Sequence, residues 1–151
     1  MNFMSALLKK LNFKDQQNIL VLNTPIELEA EITDFGNYLE VIREIPTDKL
    51  EFCLIFVKER LQIDTLSPTI DALMSEDALF WWAYPKTSSK KYQCDFNRDS
   101  GWEMMGNLGY EPVRMVALDA DWSALRFRKT KFIKTIIRNQ GFRISEEGKK
   151  R

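Results

Sequence analysis

The sequence predicts one α/β domain, with a mostly parallel sheet, helices on both faces and an antiparallel hairpin at the C-terminal end. Three observations carry that prediction. Continuous apolar runs within Asn18–Leu22, Phe52–Val57 and Asp77–Tyr84 have the pattern of strands covered on both faces. Segments of helical period lie between them, and strands alternating with helices build a parallel sheet under two helical layers. Finally, Pro112–Asp119 and Ala124–Arg128 flank the tight link Ala120-Asp121-Trp122, which reads as a hairpin. At 151 residues the chain has room for one proper core.

The elements follow in order. Apolar residues at Phe3, Met4, Leu7, Leu8 and Leu11 predict a first helix, ended by Asn12-Phe13-Lys14-Asp15. The strand Asn18–Leu22 runs into Asn23-Thr24-Pro25, where Thr24 with Glu27 reads as a capping box and Pro25 suits the first helical position. That helix covers about residues 25–33 and breaks near Asp34-Phe35-Gly36-Asn37. Tyr38–Arg43 predicts a short strand closed by Pro46. After Phe52–Val57 a helix spans Lys58–Leu66, and Ser67 caps a further helical stretch through Met74. Asp77–Tyr84 precedes a polar loop from Pro85 to about Asn97. Asp99 then caps a helix with Trp102, Met105 and Leu108 inside and Gly109 as its stop. Thr130–Arg138 predicts a last helix, with a solvated tail from Asn139. The chain thus divides into an α/β domain at 1–129 and a basic amphipathic helix with its tail at 130–151.

Composition excludes several function classes. Hydrophobic residues make up 44% and charged residues 29%, an ordinary globular balance. Lys+Arg and Asp+Glu number 22 each, so net charge selects no partner. No apolar run approaches the roughly 20 residues that span a bilayer, and Met1–Lys10 does not resemble a secretory signal. A cytoplasmic protein with no membrane partner is expected. Histidine is absent, which removes the commonest general base and the commonest metal ligand. Cys53 and Cys94 form no CxxC pair and are expected to be free thiols. No metal is expected.

The turn after the first strand is informative through what it lacks. A nucleotide-binding α/β fold would place glycine there, so that phosphate could approach bare backbone at a helix N-terminus. Here the turn holds no glycine but carries Glu27, Glu29 and Glu31. The reading is a Rossmann-like scaffold without the usual cofactor grip, hence no cofactor.

Several ordered blocks carry a resemblance. They are Leu8–Phe13, Ile19–Asn23, Leu54–Val57, Phe80–Lys86, Val116–Asp119 and Trp122–Phe127. Over roughly residues 6–128 the chain resembles a bacterial family of small single-domain proteins of unknown function. The resemblance implies a class I methyltransferase-like, Rossmann-like sheet and no established reaction. This chain departs from that family in lacking a glycine near Lys14-Asp15, in Ala124, and in its basic C-terminal extension.

Ligands of open α/β sheets sit at the C-terminal ends of the strands. Asn23, the segment Lys58-Glu59-Arg60 and the loop from Lys86 should meet there. The candidate ligand-binding residues are Asn23, Lys86, Ser88, Ser89, Asp95, Arg98, Asp99 and Trp122; no catalytic residue is assigned. Cations and hydroxyls in that loop suit a phosphate or carboxylate, with Lys86 the preferred anion contact. Asp95 and Asp99 are a weaker carboxylate pair than a set of local partners for Lys90, Lys91 or Arg98. Trp122 suits a planar ligand or, more simply, a cover for the sheet edge. Trp81 and Trp82 point to opposite faces of their strand.

From Arg126 to Arg143 there are seven basic residues and no acidic one, interleaved with Phe132, Ile133, Ile136 and Ile137. A basic amphipathic helix can bind nucleic acid; it can equally dock its apolar stripe on the domain. The function these features favour is a non-catalytic binding or interaction module for a small anionic ligand or a protein. The alternative is a divergent S-adenosylmethionine-type transferase using the loop after the strand at 78–84, with Glu44 as its ribose contact. Weak nucleic-acid association through the C-terminal segment ranks last.

Overall fold

The computed structural model describes residues 5–133. Strand β1 (Asn18–Leu22) is followed by β2 (Glu40–Ile42), β3 (Leu50–Phe56), β4 (Met74–Pro85), β5 (Tyr110–Ala117) and β6 (Trp122–Lys129). They form one sheet in the order β2-β1-β3-β4-β6-β5. The first four run parallel, and β6 enters antiparallel between β4 and β5. The expected hairpin is therefore present, with its second strand rather than its first laid against β4.

Helices cover both faces. α1 (Ala6–Lys10) and α2 (Glu29–Phe35) place Leu8, Leu11, Ile32 and Phe35 against Val21, Phe52, Phe56 and Trp81 on one face. α3 (Arg60–Asp71) and α4 (Glu103–Asn107) place Ile63, Ile70 and Met105 against Cys53, Ile55, Trp82 and Phe127 on the other. Trp81 and Trp82 are both fully buried, on opposite faces as the strand period requires. Cys53 and Cys94 are free thiols. No described helix is long and apolar enough to cross a membrane.

Four local expectations are corrected. The Thr24/Glu27 capping box does not form. Pro25 precedes a 3-10 turn at Ile26–Leu28 that has no side-chain cap, and the α-helix begins only at Glu29. Thr24 instead accepts from Arg43 at 3.3 Å, while Glu27 turns toward another loop. Secondly, the two helical stretches around Ser67 are a single helix. Its capping box is Glu59 with Gln62, and the buried Ser67 hydroxyl donates to the Ile63 carbonyl at 2.6 Å. Pro68 lies inside this helix, where one turn forgoes an amide donor. Thirdly, Asp99 does not cap α4: Trp102 holds the cap position, with no side-chain hydrogen bond. Fourthly, β4 begins at Met74, because Leu50 pairs with Met74 before the register shifts. The kink puts Asp77 at φ 52 and is held by Arg128 at 2.6 and 2.8 Å.

At the C-terminal end, Thr130–Phe132 is one 3-10 turn and Ile133 is extended. The remainder of the helix expected at Thr130–Arg138, and with it most of the basic segment, lies outside the described residues.

Two glycines take positive φ, with different consequences. Gly101 has φ 94, and a Cβ there would lie 2.7 Å from the Cβ of Phe96. Phe96 is wedged between Tyr84 and Trp102, with ring centroids at 5.7 and 5.1 Å, and cannot retreat. Gly109 has φ 91 and open space around it. Gly109→Ala should therefore cost only the backbone term, roughly 1 kcal/mol. Gly101→Ala should cost that plus overpacking, about 2–4 kcal/mol in all. Denaturant unfolding of the two variants checks the difference; equal losses would refute the clash.

Candidate functional site at the strand ends

The chain passes from β1 to β2 on one side, then crosses to β3 on the other side of β1. The C-terminal ends of β1 and β3 therefore form the crevice at which open α/β sheets bind ligands. Asn23 closes β1 at φ 61, the left-handed conformation glycine would otherwise supply. Asparagine tolerates it, so the turn is as tight as a glycine turn although none is present. The Asn23 side chain then donates to the Phe56 carbonyl at 3.1 Å and ties the two strand ends together.

Above this tie stands a carboxylate corner. Glu27 accepts from the Tyr92 hydroxyl at 2.6 and 2.9 Å and from the Trp122 indole N–H at 3.2 Å. The Lys91 ammonium lies 3.6 Å from the same carboxylate. Tyr92 and Trp122 pack at 5.0 Å between centroids, and Trp122 meets Phe56 edge-on at 5.2 Å. The Tyr92 hydrogen bond holds the Glu27 carboxyl below its ordinary 4.5, against partial desolvation, with Trp122 and Lys91 adding to the effect. The same bond raises the Tyr92 phenol to about 12, helped by desolvation and by the charges of Glu27, Asp121 and Asp119. Lys58 and Lys91 place their ammonium groups 5.6 and 5.8 Å from the centre of the Tyr92 ring.

The loop after β4 reaches this corner by crossing the strand ends. Tyr92 packs against the core on the α1/α2 face, whereas Cys94 and Phe96 belong to the core on the α3/α4 face. Between them the Asp95 amide donates to the Lys58 carbonyl at 3.2 Å, and its carboxylate accepts from the Arg60 amide at 2.7 Å. A cleft of about 430 Å³ opens beside it, lined by Lys58, Glu59 and residues 91–95.

The eight candidate residues scatter within this geometry. Asn23, Asp95 and Trp122 lie at the crevice, each engaged as above. The Ser89 hydroxyl donates to Asp121 at 2.8 Å and anchors the loop base, where the Lys86 amide donates to the Asp121 carbonyl. Ser88 is exposed. Arg98 pairs with its neighbour Asp99 at 3.3 Å on an exposed turn, while the Asp95 carboxylate is engaged by the Arg60 amide. The sequence reasoning placed the segment Lys58-Glu59-Arg60 here but missed Tyr92. The available signal was Tyr92 itself, an aromatic residue in an otherwise polar run from Lys86 to Gln93.

A second cavity, of about 180 Å³, lies at the opposite end of the strands, beside the start of β4. There Tyr110 donates to Asp71 at 2.5 Å and Lys129 pairs with Asp71 at 3.4 Å, so these three polar groups satisfy one another. No group of three Cys, Asp or Glu side chains able to hold a metal comes together among the described residues.

No protein-family model and no curated protein matches the sequence. Among solved structures, the N-methyltransferase NodS from Bradyrhizobium japonicum WM9 is similar with a TM-score of 0.51 at 8% identity. That likeness covers 82% of this chain and 91% of NodS. A protein assigned as a type 11 methyltransferase from Sulfolobus solfataricus also gives 0.51 at 8% identity, over 89% of this chain and 96% of that one. Likeness at this identity is likeness of fold, and the fold of this chain is that of the class I methyltransferases, a Rossmann-like α/β sheet.

Proposed function

We propose that the domain is a divergent S-adenosylmethionine-type transferase whose cosubstrate enters the crevice between β1 and β3. The single observation supporting this is the corner at Glu27. It is an ionised carboxylate flanked by two aromatic rings, and its present counter-charge is a lysine ammonium. A carboxylate with aromatic faces favours a cation. S-adenosylmethionine brings a sulfonium and an ammonium and no phosphate, so its charge suits the corner. A dinucleotide brings phosphates, which Glu27, Glu29 and Glu31 repel. Glu44, exposed just after β2, is the acidic side chain on offer to a ribose. When bound, such a cosubstrate supplies a transferable methyl group, and the chain's own part is to hold its charge and exclude water.

A second reading, a binding module without catalysis, rests on Asn23 and Tyr92 already filling part of the crevice. Thermal-shift measurements separate the possibilities. S-adenosylmethionine and S-adenosylhomocysteine should each raise the melting temperature, by mass action on the folded state, whereas NAD should not. No shift with either sulfur compound would overturn the transferase reading and leave the binding module.

A further inference from the structure

The segment from Lys91 to Asp95 does more than line the cleft. It passes over the end of β3 and is pinned at three places by side chains or backbone of other elements. Tyr92 and Lys91 hold Glu27 after β1, the Asp95 amide holds the Lys58 carbonyl, and the Asp95 carboxylate holds the first turn of α3. Its apolar anchorage is confined to two half-buried side chains, Tyr92 on Trp122 and Cys94 against the opposite core, while Lys91, Gln93 and Asp95 are exposed. A segment held by a few polar contacts and little buried apolar surface opens at low free-energy cost. The tyrosine hydroxyl and the Lys91 ammonium also occupy the carboxylate that a cationic ligand would need.

We propose that Lys91–Asp95 is an internal strap that competes with the ligand for Glu27, so that the crevice fills only when Tyr92 lets go. The inference rests on the transferase reading and adds its regulation. A cation arriving at Glu27 replaces Lys91 in charge and Tyr92 in hydrogen bonding, and the strap, losing one pin, lifts from the end of β3. Affinity is then lowered by the fraction of time the strap is closed.

Tyr92→Phe keeps the ring and its packing while deleting the hydroxyl that donates to Glu27. Lys91→Ala removes the competing cation alone. Calorimetric titration of the full chain and both variants with S-adenosylhomocysteine is the test, with hydrogen exchange at the Asp95 amide as a second readout. Tyr92→Phe should bind about tenfold more tightly, the fold-change of one charge-assisted hydrogen bond. Its Asp95 amide should exchange faster without ligand, and ligand should speed the same amide in the unaltered chain. Equal affinity in all three proteins would overturn the strap while leaving the transferase reading intact. Weaker binding by Tyr92→Phe would also overturn it, since Tyr92 would then be a ligand contact. Absence of binding in all three would overturn the transferase reading and the strap with it.

Discussion

Trp81→Ala is expected to lower the stability of the domain by about 3–5 kcal/mol, the usual cost of deleting a large buried aromatic. Trp81 is fully buried on β4, and its indole N–H donates to the Leu11 carbonyl at 3.0 Å, at the C-terminal end of α1. Truncation leaves a cavity under α1 and an orphaned carbonyl besides. A domain of this size holds roughly 5–15 kcal/mol in total, so the variant should sit near the edge of folding. Trp82 is an internal comparison. It is equally buried on the opposite face, yet its indole nitrogen has no hydrogen-bond partner among the described residues. Trp81→Phe should thus cost more than Trp82→Phe, by about 1 kcal/mol for the lost hydrogen bond. Denaturant unfolding of the three variants measures these differences, and a Trp82→Phe loss equal to that of Trp81→Phe would contradict the assignment.

Glu27→Gln is expected to return the Tyr92 phenol from about 12 toward its ordinary value of 10, because the hydrogen bond to the Glu27 carboxylate is the largest cause of the shift. Ultraviolet difference titration against Tyr92→Phe isolates this phenol from the other tyrosines. The sign for stability follows from linkage. A phenol whose folded value is raised stabilises fully below 10, and the contribution fades as pH rises from 10 to 12. A carboxyl whose folded value is lowered contributes above 4.5 and loses that contribution as pH falls through its folded value. The Glu27–Tyr92 contact should therefore hold across the whole neutral range and weaken at both extremes. In Glu27→Gln the acid limb of that dependence should flatten. An unchanged Tyr92 titration in Glu27→Gln would show that the two side chains do not meet in solution.

Much of the fold was legible because it is written in short-range periodicity. Phe52–Val57 has no polar face, and only a strand beneath helices on both sides tolerates that. The paired tryptophans of β4 divided between the faces for the same reason. Helix ends were read less well, since capping residues have competing partners. Thr24 and Glu27 match a capping box in spacing, but Arg43 and Tyr92 offer each a better contact. Ser67 reads as a cap, yet it lies inside one helix, directly before a proline that the helix absorbs. The site was legible only in part. Its location followed from strand order, whereas Glu27, Tyr92 and Trp122 meet across 65 and 95 residues of chain.

By itself the sequence determined the layered α/β class, the strand cores, the closing hairpin and the lack of a glycine grip after β1. Those properties depend on which side chains alternate or repeat within one element, and that is local. The tertiary structure alone decided that β6 inserts beside β4, that Asn23 takes glycine's conformation, and that the loop after β4 lies over the strand ends. Each of these is a choice among long-range pairings, settled by the packing of both sheet faces at once, and no single segment encodes it.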